Sequence, residues 1–149
     1  MFAVFARRSR SFAGVIALAC LFAAACSMPT LQPQECTDAR VTVKQFYSFH
    51  FGNEMRPSPE NLKLREKFLT PELARELEAA PPTETDYFTA TDHYPKAFKD
   101  AGCTLESPDR AIFRVNLFWR EDERNVQKEL DVETVKRGDQ WLINKVSPK

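Results

Sequence analysis

Glycine is scarce in this chain, with four in 149 residues, and histidine scarcer, with two. So few glycines leave no glycine-rich loop to cradle a phosphate and no Gly-x-Ser-x-Gly elbow for a nucleophilic serine. Two histidines and four cysteines, spread widely, show no metal-ligand spacing, so neither a metal site nor a cofactor is expected. Net charge is missing as well, because 21 basic residues balance 21 acidic ones. Without a basic excess, or a basic patch with interleaved aromatics, there is no electrostatic footprint for nucleic acid. Long apolar runs are also absent. The stretch Phe12–Ala25 is uncharged over about 14 residues, whereas a membrane-spanning helix needs ~20.

What is present starts with an address. Arg7, Arg8 and Arg10 precede that apolar stretch, the order of a secretory signal peptide. Ala23-Ala24-Ala25-Cys26-Ser27 resembles the lipobox of bacterial lipoproteins, with Ala23 where Leu is most usual. The alternative is plain cleavage after Ala25, which would leave three cysteines and an exposed terminal thiol. Lipidation of Cys26 leaves Cys36 and Cys103, which can pair. The expected organisation is therefore a lipoprotein signal peptide over 1–25, a tether over 26–35 and one domain over 36–149. Ser27 following the cysteine resembles the outer-membrane class, so the expected location is the outer membrane, facing the periplasm and held to the membrane by acyl chains.

The next segment reads as helical. Asp38 can cap a helix over about Ala39–Phe51, closed by Gly52, with Ala39, Val43, Phe46, Tyr47 and His50 on one face. Ser58-Pro59-Glu60 and Thr70-Pro71-Glu72 each give a cap, a proline at the first helical position and an acid in the first turn. Leu62, Leu64, Phe68 and Leu69 supply the apolar side of the first of these helices; Leu73, Leu77 and Ala80 supply that of the second, up to Pro81-Pro82. Thr83–Ala101 is irregular, with a single helical turn expected at Lys96–Lys99.

From Cys103 the pattern changes to strand. After a first strand at Cys103–Ser107, Ala111, Phe113, Val115, Leu117 and Trp119 alternate with polar residues at period two. Val126, Leu130 and Val132 do the same in a second run, against Gln127, Glu129, Asp131 and Glu133. Trp141 and Ile143 mark a third. In an oxidising compartment a Cys36–Cys103 bond would tie the helices to this sheet, closing a loop of about 68 residues and contributing roughly 4 kcal/mol.

The order of helices, irregular segment and meander, ending in Gly138-Asp139-Gln140-Trp141-Leu142-Ile143, resembles the nuclear transport factor 2-like (cystatin-like) α+β cone. Val43-Lys44-Gln45-Phe46-Tyr47, Leu69-Thr70-Pro71-Glu72-Leu73 and Tyr94-Pro95 are similar to a family of small bacterial envelope proteins of unknown function, many of them lipoproteins. The resemblance implies helices packed on a curved antiparallel sheet of about four strands. It also implies a pocket, for which Tyr47, His50, Tyr87, Trp119 and Trp141 are the candidate liners. Enzymes on this fold use buried carboxylates or an Asp–His pair there. The apolar strand faces carry no carboxylate, and Asp92-His93 are sequence neighbours, so no catalytic residue is expected. The leading expectation is a non-catalytic binding or interaction module with an envelope protein partner. The alternatives are a periplasmic small-molecule-binding cone and an immunity-type inhibitor of a cell-wall enzyme.

Overall fold

The structure, a computed structural model, describes residues 32–149. The expected signal peptide and the expected lipidation site, Cys26, lie outside the described residues. Three α-helices occur among those described: α1 (Gln34–Phe51), α2 (Pro59–Arg65), which runs on into a 3-10 turn at Glu66–Phe68, and α3 (Pro71–Ala79). No helix among the described residues is long and apolar enough to cross a membrane. Four strands follow, β1 (Ala97–Ser107), β2 (Arg110–Glu121), β3 (Arg124–Arg137) and β4 (Gln140–Pro148), in one antiparallel sheet of order β1-β2-β3-β4. The chain is thus α+β, with helices on a four-stranded antiparallel sheet.

Local chemistry explains the helix starts. The Ser58 hydroxyl accepts from the Asn61 N–H at 3.1 Å, and the Thr70 hydroxyl from the Leu73 N–H at 3.2 Å. Each satisfies one of the orphan donors of a first turn, and the following proline has no N–H to satisfy. α1 departs from expectation. It begins at Gln34, four residues before the expected cap, with Pro33 at the N-cap and no side-chain cap bond. Asp38 instead sits inside the helix and accepts from Gln34 Nε2 at 2.8 Å. The end of the expected tether is therefore the first turn of α1.

That early start is held by Cys36. It is buried and bonded to Cys103 on β1, with the Cα atoms 6.1 Å apart. The expected helical turn at Lys96–Lys99 is instead the start of β1, where Ala97 through Asp100 pair with Phe118 through Val115 of β2. Leu64, expected on an apolar side, is 52% exposed.

The apolar strand faces carry the core. Ala111, Phe113, Val115 and Leu117 of β2, with Leu130 and Val132 of β3, are fully buried beneath Ala39, Val43 and Phe46 of α1. Burying each large side chain contributes about 1.5–3 kcal/mol. On β4 the inward residues are Trp141, Ile143 and then Val146. Period two breaks there because the ladder jumps from Lys145 to Ile143 opposite Glu133 and Thr134, bulging at Asn144. The β3–β4 turn places Gly138 at φ +60°, where a Cβ would be strained.

Candidate functional site

The central polar feature is a buried chain of three side chains from three separate elements. His50 projects from the last turn of α1 and is fully buried, stacked on Phe46 at a ring separation of 5.4 Å. Arg65 ends α2 and is 2% exposed. Asp86, in the loop after α3, is also buried. Arg65 Nε donates to His50 Nδ1 at 2.7 Å, and His50 Nε2 lies 2.8 Å from Asp86 Oδ2.

These contacts assign the tautomer. A guanidinium has only donors, so Nδ1 must offer its lone pair and the imidazole proton sits on Nε2, donating to Asp86. Both ring nitrogens are engaged. An Asp–His pair thus exists here, buried and extended by Arg65.

The surroundings reinforce the geometry. Asp86 Oδ2 also accepts from the Thr89 hydroxyl at 2.8 Å, and Oδ1 from the Phe88 N–H at 3.3 Å. The Ala90 N–H donates to the Asp86 carbonyl at 2.7 Å, which draws Ala90 into a left-handed conformation at φ +51°. Lys128 of β3 donates to the Ala90 carbonyl. Arg65 completes its own bonding with the carbonyls of Asn61 at 2.6 Å and Glu54 at 2.8 Å. Burial pulls the Arg65 pKa below its ordinary value, against the opposing pull of Asp86 and Glu54. Burial, then the Asp86 charge, then Tyr87 push the Tyr47 phenol well above its own.

The five aromatic and imidazole liners do not converge on one pocket. Tyr47 is fully buried and donates from Oη to the Phe88 carbonyl at 3.0 Å. Tyr87, half-buried, accepts from the Val146 N–H at 3.1 Å. These two and His50 gather around Phe88. Trp119 lies far along β2, where His93 stacks on it at a ring separation of 6.0 Å. His93 is solvent-accessible and approaches Glu121 at 3.2 Å more closely than Asp92 at 3.7 Å. Trp141 is buried at the start of β4, and its carbonyl accepts from the Thr42 hydroxyl at 3.0 Å.

Two concavities flank the domain. A groove of about 720 Å³ runs between α1 and the β3–β4 hairpin, with Val41, Gln45, Phe68, Lys136 and Trp141 among its liners. A smaller cavity of about 230 Å³ lies between α2, the end of α3 and the following loop, and its wall includes Arg65, Tyr87 and Phe88. Sequence reasoning missed Arg65 and left Asp86 unpaired in an irregular stretch. One signal was available. Arg65 falls three residues after Leu62 and three before Phe68, so it lies on the apolar stripe of its helix, as His50 does on α1.

No protein-family model matches the chain, and no curated protein matches it. Among solved structures it is similar to a protein of unknown function from Bacteroides thetaiotaomicron. The two share 18% identity over 75% of this chain and 90% of that one, with a TM-score of 0.48.

Proposed function

We propose that this chain is a non-catalytic interaction module of the nuclear transport factor 2-like cone type. In this reading Cys26 carries the lipid anchor, the outer membrane holds the module on its periplasmic side, and an envelope protein docks a segment in the groove between α1 and the β3–β4 hairpin. The observation that carries the reading is that unpaired charge and exposed apolar surface coincide at that groove. Val41 on its wall is 53% exposed. Lys67, Lys136 and Asp139 line it and make no ion pair among the described residues. An apolar side chain flanked by an acid and a base would complement that wall.

The outward face of the sheet offers less. Several of its charges are already matched, Arg114 with Glu129 at 3.2 Å and Arg110 with Glu133 at 3.6 Å, while Lys149 reaches Glu129 at 3.5 Å. A partner docking there would have to displace pairs that already exist. The Cys36–Cys103 bond suits an oxidising compartment. The non-catalytic part of the reading rests on His50, whose two ring nitrogens are both occupied.

Photocrosslinking from position 45 in intact envelopes tests the reading. A single recurrent protein partner is expected, its yield falling about tenfold in Val41→Glu, as loss of a buried apolar contact of ~1.4 kcal/mol would produce. A Cys26→Ala variant is expected to lose acyl labelling and leave the membrane fraction. Absence of any recurrent partner, or a yield indifferent to Val41→Glu, would overturn the groove. Retention of label and membrane association by Cys26→Ala would overturn the anchor.

A further inference from the structure

Arg65 is a buried cation without a contact anion. Its three direct acceptors, His50 Nδ1 and the carbonyls of Asn61 and Glu54, are all neutral. The one acid in its network, Asp86, stands beyond the imidazole, and no carboxylate among the described residues forms an ion pair with the guanidinium. A buried charge is costly unless an opposite charge meets it. A guanidinium has five N–H donors, and three are used, so two remain.

Arg65 is among the residues that line the 230 Å³ cavity. Most of the remaining wall is apolar, including Leu62, Leu77, Pro81 and Phe88. Tyr87 also lines the cavity, and its hydroxyl accepts from the Val146 N–H at 3.1 Å. Arg56 and Glu78, both exposed, are also among its lining residues. An apolar cavity whose wall includes a cation without a contact anion suits an acid with an apolar body. Its volume is that of about eight liquid waters, which limits the guest to the size of an aromatic or branched monocarboxylate.

We propose that this cavity binds a small apolar carboxylate, with the carboxylate on Arg65 and the body among Leu62, Leu77 and Phe88. The guest supplies the contact anion that the fold leaves out. The site is separate from the groove, and neither depends on the other.

Fluorine NMR of 4-fluorophenylacetate with the full-length protein in nanodiscs tests it, with empty nanodiscs as the control. Line broadening specific to the protein is expected, reversed by phenylacetate and about tenfold less effectively by phenylacetamide, which lacks the charge. Arg65 variants are liable to unfold, so the blocking variant is Ala80→Trp, at an exposed position on the cavity wall. It should abolish the broadening at an unchanged melting temperature. The proposal is overturned if acid and amide compete equally, if broadening survives Ala80→Trp, or if no broadening appears at millimolar ligand. Val41→Glu should leave the broadening intact, so failure here is distinguishable from failure at the groove.

Discussion

At Tyr47 a single phenol ties helix to loop. The ring is packed edge-on to Phe46 at 5.1 Å, and its Oη donates to the Phe88 carbonyl, which holds the loop bearing Asp86 against α1. The raised pKa of this buried phenol has a sign that can be worked out. The folded state favours the neutral form, so the contribution is fully present below the unfolded value of 10.0 and is lost as pH rises toward the folded value. Tyr87, raised mainly by burial, acts in the same direction. Denaturant unfolding should therefore show stability falling from about pH 10 upward. Tyr47→Phe is expected to cost about 1 kcal/mol at neutral pH, because it strands the Phe88 carbonyl, and to flatten that alkaline decline. His50 and Arg65 were each visible in the sequence as polar residues on apolar stripes. Their mutual contact was not, because they stand 15 positions apart, and Asp86 a further 21 positions beyond Arg65.

Among the elements, α2 and α3 were the most legible, since a capping hydroxyl, a proline and an acid act within one turn. Thr70 does more than cap. It is fully buried, its N–H donates to the Ile143 carbonyl at 2.9 Å, and its hydroxyl lies 3.1 Å from Asn144 Oδ1 at the β4 bulge. Thr70→Ala is therefore expected to cost about 2 kcal/mol, at the upper end for a cap, and Ser58→Ala about 1, both read from thermal or denaturant melts. The start of α1 and the first half of β1 were misread for opposite reasons. Asp38 is a good cap that tertiary structure overrides, because Cys36 must lie within the helix to meet Cys103. Ala97–Asp100 carry no strong strand pattern, and they become strand because β2 is long enough to pair with them.

At the scale of the whole molecule, one covalent link joins the two layers. Its partners are 67 residues apart, with α1, α2, α3 and the irregular loop between them. Constraining so long a loop in the unfolded chain stabilises the native state by roughly 4 kcal/mol. Reduction, or a Cys36→Ser, Cys103→Ser double variant, should lower stability by about 2–5 kcal/mol, measured as a matched fall in melting temperature with and without reductant. An unchanged melt would show that the apolar contacts of α1 suffice without the bond.

What depends on near neighbours could be read directly from the chain: strand alternation over Ala111–Trp119 and the paired caps before Pro59 and Pro71. Each is set by period or cap chemistry, which no distant residue can change. What only the tertiary structure decided is where polar groups from distant segments meet. It sealed His50 between Arg65 and Asp86, separated Trp119 and Trp141 from the tyrosines, and opened a cavity whose wall includes Arg65. Such meetings depend on the packing of whole helices against a sheet, and a side chain's neighbours in space are then fixed by elements it never approaches along the chain.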